Sequence, residues 1–114
     1  MLIENDTDAK GMLTFLFENN GYEVVQAGKQ ISAEEVHQVN PNLVIVDYTL
    51  GETSGSEVCS KLKASTLTGQ IPVVLYSPTL EVEKMSKGMA DALFAKPYEL
   101  EDLVWLVSRI ALNN

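Results

Sequence analysis

The chain has 114 residues and the composition of an ordinary globular domain, with 46% hydrophobic and 21% charged residues. Sixteen acidic side chains against eight basic ones give a net charge of −8, which disfavours direct binding to nucleic acid or to a membrane surface. With no membrane-length apolar run, no signal peptide and a single cysteine that lacks a disulfide partner, the sequence predicts one cytoplasmic domain over residues 1–114.

Strands and helices are predicted to alternate five times, because each short apolar run is followed by apolar residues at helical spacing. The predicted strands lie at residues 1–3, 22–27, 43–46, 71–76 and 92–95, and the helices begin near residues 7, 33, 55, 79 and 98. Ser32 and Glu35 form a capping box at the start of the second helix. Thr79 is expected to cap a short fourth helix that carries Met89.

The third predicted strand is the centre of this pattern. Pro41 and Asn42 interrupt the chain before four apolar, mostly β-branched residues, which run directly into Asp47. A short and fully apolar run of this kind is typical of a strand that is buried on both faces of a parallel sheet. Together with the alternation of elements, it predicts an α/β fold: a doubly wound five-stranded parallel sheet of flavodoxin-like order 2-1-3-4-5, with helices on both faces.

Polar side chains follow the ends of four predicted strands. They are Glu4 and Asn5 after the first strand, Asp47 after the third, Ser77 after the fourth and Lys96 after the fifth. In the order 2-1-3-4-5 the first and third strands are neighbours, so their acidic groups should meet in one pocket. Clustered carboxylates repel each other unless a cation lies among them, and oxygen ligands suit Mg²⁺. With a hydroxyl and a lysine beside them, they predict a phosphoryl-transfer site with a carboxylate nucleophile.

Four short motifs mark these strand ends. They are Leu2-Ile3-Glu4-Asn5-Asp6, Asn42–Asp47 with Leu50 and Gly55 after it, Ile71–Ser77, and Lys96-Pro97. In this order they resemble the motifs of the receiver domain of two-component response regulators, over essentially the whole chain. The resemblance implies that a histidine kinase, a phosphotransfer protein or a small phosphodonor passes a phosphoryl group to the aspartate with Mg²⁺ bound. The domain would then switch an output domain or a partner protein, with no catalysis beyond accepting and slowly losing the phosphoryl group.

The resemblance also implies roles for individual residues. Asp47 would be the phosphoacceptor, Ser77 the switch hydroxyl and Lys96 the phosphate-binding lysine. The implied metal ligands are Glu4, Asn5, Asp47 and Thr49, the last through its backbone carbonyl.

The sequence departs from the family pattern at four positions. Asn5 stands where a metal-binding carboxylate is usual, so we expect weaker Mg²⁺ affinity. Pro78 follows the switch hydroxyl and lacks the backbone N–H that helps to hold a phosphoryl group. Leu93 replaces the usual aromatic switch residue, and Gly51 replaces a proline. These departures leave an alternative open: a pseudo-receiver that binds a partner without being phosphorylated.

Two other classes of protein fit the sequence less well. A phosphatase of the haloacid dehalogenase type has an Asp-x-Asp motif, whereas Asp47-Tyr48-Thr49 lacks the second acid. A flavodoxin has a phosphate-binding loop rich in Ser, Thr and Gly after its first strand, and this chain has none there. We therefore expect neither activity.

The last predicted helix carries a second candidate functional surface. Tyr98, Trp105 and Leu112 recur every seven residues, nearly opposite the apolar stripe that faces the core, and Asp102 and Arg109 lie beside them. Aromatic residues away from the core, with complementary charges, predict a partner surface, and in the family this helix often belongs to the dimerisation or output surface. A homodimer through this helix is therefore expected. The alternative is that Trp105 folds down as peripheral core.

Overall fold

The computed structural model describes residues 1–50, 53–81, 88–96 and 99–112. The strands are β1 (Leu2–Ile3), β2 (Gln26–Ala27), β3 (Val44–Asp47), β4 (Thr49–Leu50), β5 (Thr53–Ser54), β6 (Val73–Glu81) and β7 (Ala92–Lys96). The helices are α1 (Thr7–Asn19), α2 (Ala33–Val39), α3 (Gly55–Ala64) and α4 (Leu100–Leu112). No helix within these described ranges has both the length and the apolar character that a membrane span requires.

Five of the strands form one parallel sheet in the order β2-β1-β3-β6-β7. Counted along the sheet-forming strands this is the order 2-1-3-4-5, so the predicted fold is confirmed. In the register of the sheet Ile3 lies opposite Val46, and Asp47 lies opposite Tyr76. The carboxyl ends of β1, β3 and β6 therefore meet at one edge, which is where parallel sheets bind their ligands.

The sheet is covered on both faces, because the strands present apolar side chains alternately to two separate cores. One core joins β-strand residues to α2 and α3, and it contains Ile3, Val36, Val44, Val46, Val58, Cys59, Leu62, Val73 and Leu75. The other joins the opposite face to α1 and α4, and it contains Leu2, Leu13, Phe17, Ile45, Val74, Tyr76, Leu103 and Val107. Burying each large apolar side chain contributes about 1.5–3 kcal/mol, so the central strands are held firmly from both sides.

The starts of the helices follow the predicted capping signals. The Ser32 hydroxyl accepts the Glu35 backbone N–H at 3.1 Å, and the Glu35 carboxylate accepts the Ser32 N–H at 3.1 Å, which completes the capping box of α2. Asp6 caps α1 by accepting the backbone N–H groups of Asp8 and Ala9. Each such cap satisfies backbone donors that have no partner inside the helix.

Three predicted elements are wrong at their boundaries: the second strand, the fourth strand and the fourth helix. The second strand contains only Gln26 and Ala27 instead of residues 22–27, because β1 is two residues long and offers few backbone partners to a longer neighbour. The predicted fourth helix does not begin at Thr79, since β6 continues to Glu81 and pairs there with Lys96 of β7. Residues 82–87 of that predicted helix lie outside the described residues, and Met89 lies in a turn.

A short hairpin after β3 was not predicted. β4 and β5 pair antiparallel, with Thr49 opposite Ser54 and Leu50 opposite Thr53. Leu50 is fully buried and anchors the hairpin in the core shared with α2 and α3. The hairpin returns the chain to Tyr48, whose carbonyl accepts the Gly55 N–H at 2.7 Å, so α3 begins directly beside the end of β3.

Gly55 is expected to tolerate no side chain. A Cβ at this position would lie 2.1 Å from the carbonyl oxygen of Asp47 and 2.8 Å from the Cα of Tyr48. Both are backbone atoms, so they cannot move away as a flexible side chain would. We expect Gly55→Ala to lower the free energy of unfolding by about 2 kcal/mol or more, measured by urea denaturation.

Gly11→Ala is the matched control for this prediction. A Cβ at Gly11, within α1, would meet no atom within 4 Å. Alanine is the better helix former, so this variant should gain about 0.5–1 kcal/mol. Equal stability changes in the two variants would contradict the close approach at Gly55.

Candidate functional site

Two carboxyl groups are buried side by side at the carboxyl edge of the sheet. Glu4 directly follows β1 and is 1% exposed, and Asp47 ends the neighbouring strand β3 and is 6% exposed. The two side chains are close enough to share a hydrogen bond. Two acids this close in a desolvated position oppose the ionisation of Asp47 in the absence of a cation.

The Glu4 carboxylate is also held by two donors outside the pair. The Tyr76 hydroxyl, from β6, donates to Glu4 Oε1 at 2.5 Å. The backbone N–H of Asn5 donates to Glu4 Oε2 at 3.0 Å. Both oxygens of this buried group therefore have partners, as buried carboxylates require.

Burial raises the pKa of Asp47 from 3.8 to about 8. The largest cause is the loss of hydration around the carboxylate, followed by the hydrogen bond with Glu4. The negative charges of Glu4 and Asp6 raise the pKa further, whereas the backbone N–H of Thr49, which donates to Asp47 Oδ1 at 3.1 Å, lowers it. Without a cation, Asp47 is therefore mainly protonated at neutral pH.

The other predicted site residues lie around this pair. Ser77 is fully buried in β6 and directly follows Tyr76. Asn5 and Thr49 are exposed at the same edge, next to Glu4 and Asp47 in the chain. Lys96 is the last residue of β7, the strand that pairs with β6; the description of this residue is limited to its backbone. Gly51 lies outside the described residues.

The donors at this edge fit a hard divalent cation. Glu4 and Asp47 supply two carboxylates, and the Asn5 amide and the Thr49 carbonyl are further oxygen groups beside them. Mg²⁺ is usually held by one or two carboxylates and keeps several of its waters. Within the described ranges, no three His, Cys, Asp or Glu side chains are grouped as metal ligands.

Tyr76 is the site residue that sequence reasoning missed. The sequence places it in the fourth predicted strand without a role, and its ring packs in the core with α1 and α4. The signal that could have found it is the hydroxyl, because a tyrosine buried in a central strand needs a polar partner. The register places Tyr76 opposite Asp47, so an acid at the sheet edge was the available partner.

The predicted partner surface on α4 is partly described. Trp105 is 60% exposed, so the alternative that it folds down as peripheral core is wrong. The Arg109 guanidinium lies over its ring, 5.2 Å from the ring centroid, in a cation–π contact. Asp102 is exposed and accepts the Glu99 backbone N–H at 3.2 Å. Tyr98 lies outside the described residues, and so does the side chain of Leu112.

Comparison with known protein families gives a match over almost the whole chain. The family described as response regulator receiver domain matches residues 1–108. The phosphate regulon transcriptional regulatory protein PhoB of Escherichia coli is 32% identical over 110 residues, which are 91% of this chain and 47% of PhoB. The chain thus spans about half the length of this curated relative.

Solved structures share the fold. A protein assigned as a response regulator from Chloroflexus aurantiacus is 28% identical, with a TM-score of 0.78 over 97% of this chain and 95% of that chain. The receiver domain of sensor histidine kinase PA1611 from Pseudomonas aeruginosa, solved with a magnesium ion in its active site cleft, is 14% identical, with a TM-score of 0.76 over 96% of this chain and 93% of that chain. At that identity the second likeness supports the fold alone.

Asp47→Asn is expected to stabilise the metal-free protein at alkaline pH. The pKa of Asp47 is higher in the folded chain, about 8, than its ordinary 3.8, so the stability linked to its proton is complete below pH ~4 and is lost as the pH rises to about 8. Asparagine keeps an acceptor for the Thr49 N–H without the charge. At about pH 9 we expect a gain above ~1 kcal/mol, shrinking towards zero near pH 4, measured by urea denaturation with a chelator.

Asp8→Asn is the control, because Asp8 is an exposed acid in the first turn of α1. Because its side chain is exposed, its effect on stability should be small at both about pH 5 and about pH 9. A pH-independent effect of Asp47→Asn over the same interval would show that Asp47 titrates as an ordinary surface acid.

Proposed function

The chain belongs to the response regulator receiver family, and from this we propose that Asp47 accepts a phosphoryl group from the phosphohistidine of a histidine kinase or phosphotransfer protein, with Mg²⁺ bound. The observation that carries the proposal is the buried pair of Glu4 and Asp47 at the carboxyl ends of adjacent strands. Two ionised acids in a desolvated pocket repel each other, and a divalent cation would relieve that repulsion and attract the anionic phosphoryl group.

The transfer requires Asp47 in its ionised form. One of its carboxylate oxygens attacks the phosphorus atom, the new P–O bond forms as the P–N bond to histidine breaks, and the imidazole leaves with a proton from water. A magnesium ion held by Glu4, Asp47, the Asn5 amide and the Thr49 carbonyl would supply the positive charge that keeps Asp47 ionised and screens the phosphoryl oxygens. The Thr49 N–H, which already donates to Asp47 Oδ1, orients the acceptor.

We propose that the side chains of Ser77 and Lys96 bind the oxygens of the phosphoryl group. Ser77 is buried at the same sheet edge, on the strand next to Asp47, where its hydroxyl can serve as a donor. Lys96 ends the following strand, β7, and an ammonium group would hold an anion as a point charge. The domain would then lose its phosphoryl group slowly to water and catalyse no other reaction.

The proposed output is a change in contacts with another protein or domain. The chain covers 47% of PhoB, so an output domain or a separate partner would receive the signal. A net charge of −8 disfavours nucleic acid as the direct ligand of this domain, and we place its action in the cytoplasm. Leu93 packs against the core beside α3 and is not aromatic, so the switch would not use an aromatic side chain at that position.

The proposal is tested by phosphorylation with acetyl phosphate and Mg²⁺, followed by intact-mass measurement. We expect a metal-dependent adduct of one phosphoryl group that is absent from Asp47→Asn. A folded protein that gains no adduct, while a known receiver is labelled alongside, would favour the pseudo-receiver that binds partners without phosphorylation.

The variant Asn5→Asp tests whether weak Mg²⁺ binding is the cause of any weak phosphorylation. A third carboxylate adds charge at an exposed position beside Glu4, so the variant should bind Mg²⁺ about tenfold more tightly, in line with the weight of single groups at metal sites. Titration calorimetry measures this affinity. Unchanged affinity and unchanged labelling would remove Asn5 as the cause.

Trp105→Ala is expected to weaken self-association of the phosphorylated protein. The indole and the Arg109 guanidinium form an exposed aromatic and cationic patch, which is the composition that interfaces favour. Because the side chain is exposed, the free energy of unfolding should change by less than about 0.5 kcal/mol. Sedimentation velocity before and after phosphorylation measures association.

Phe15→Ala is the matched control, because Phe15 is 69% exposed on α1. It removes an exposed aromatic side chain from a different face of the domain and should leave self-association unchanged. Equal association of wild type and Trp105→Ala would show that the α4 patch is not the dimer surface.

A further inference from the structure

Tyr76 contacts the acidic pair, and the phosphoryl-transfer scheme gives it no role. It lies in β6 after three fully buried apolar residues, Val73, Val74 and Leu75, and is itself only 3% exposed. Its ring packs in the core with α1 and α4. Its hydroxyl reaches across the sheet edge to Glu4, a residue 72 positions away in the sequence.

The hydroxyl fixes the orientation of the Glu4 carboxylate. Oε1 accepts from the Tyr76 hydroxyl, and Oε2 accepts from the Asn5 backbone N–H. The two donors come from different parts of the fold, and both oxygens of the planar group are therefore tied in place. Ile3 pairs with Val46 in the sheet, so Glu4 and Asp47 directly follow paired residues on adjacent strands and lie at the same edge.

The orientation of the Glu4 carboxylate should affect metal affinity more here than in a site with three acids. Because Asn5 is uncharged, Glu4 and Asp47 are the two carboxylates among the proposed ligands of a divalent cation. Groups that orient metal-binding carboxylates through hydrogen bonds contribute strongly to metal affinity. The donor from β6 is rigid, since it belongs to the central sheet and its ring is enclosed by the core.

We propose that Tyr76 is a positioning residue for the Mg²⁺ site, acting through its hydrogen bond to Glu4. The inference rests on the proposed function, because it assigns to Tyr76 a role at the metal site of that function. Tyr76 does not itself bind the cation. It holds the Glu4 carboxylate in the arrangement in which Glu4 and Asp47 act together on the ion.

The test is the Mg²⁺ affinity of Tyr76→Phe, measured by titration calorimetry. Phenylalanine keeps the ring and its packing and removes only the hydroxyl. We expect the dissociation constant to rise about 10- to 100-fold while circular dichroism and cooperative unfolding remain native. An affinity equal to or tighter than that of the wild type, in a folded variant, would overturn the inference.

Two further variants separate positioning from general effects. Tyr22→Phe removes a hydroxyl from the opposite end of the strands, where Tyr22 packs edge-on against Phe17, and should leave Mg²⁺ affinity unchanged. Tyr76→Phe in a Glu4→Ala background should cause no additional loss, because the carboxylate through which Tyr76 acts is gone. An additional loss of the same size in that background would show that Tyr76 acts by another route and would overturn the inference.

A measurement on the wild type covers the case in which Tyr76→Phe does not fold. In protein labelled with ¹³C at tyrosine Cζ, Mg²⁺ should shift the Tyr76 resonance and leave that of Tyr22 in place. No shift at saturating Mg²⁺ would overturn the role of Tyr76 alone. If calorimetry detects no Mg²⁺ binding by the wild type, both the metal requirement of the proposed function and this inference fail.

Discussion

The electrostatic repulsion between two buried carboxyl groups is the constraint on which the rest of the site depends. Glu4 and Asp47 are brought together because β1 and β3 are adjacent, parallel and buried on both faces. Ionising both acids in this place is costly. Three hydrogen bonds, from the Tyr76 hydroxyl and two backbone N–H groups, reduce that cost. The raised pKa of Asp47 reduces it further, because Asp47 then keeps its proton at neutral pH. The metal-free pocket is thus stable with Asp47 protonated, and both carboxyl groups are expected to ionise when a cation binds.

Glu4 and Asp47 are therefore expected to lower the stability of the metal-free protein while they form the proposed metal site. Two carboxyl groups at one edge favour a divalent cation, and the charge of that cation would in turn attract an anionic phosphoryl group. The two apolar cores of the surrounding fold offset that cost. Stabilising substitutions at Asp47 and loss of function are therefore expected to go together.

The sequence predicted the sheet order, and the edge where Glu4 and Asp47 meet, because both follow from local patterns. Apolar runs that end in Glu4 and Asp47, with helical spacing between them, define parallel strands and the edge where they meet. Two features depended on contacts that no local pattern reports. β6 extends to Glu81 because it can pair with β7, and the Tyr76 hydroxyl finds its acceptor 72 residues away. Strand length and hydrogen-bond partners of this kind are set by tertiary pairing.

The most direct test of this account is the titration of the Asp47 side chain itself. Nuclear magnetic resonance of the ¹³C-labelled carboxyl group reports its protonation as the pH changes, without and with saturating Mg²⁺. The account predicts a pKa of about 8 for Asp47 in metal-free protein, and a much lower pKa once Mg²⁺ is bound, because the cation favours the ionised form. A pKa near the ordinary 3.8 in the metal-free protein, or a raised pKa that Mg²⁺ does not lower, would contradict it.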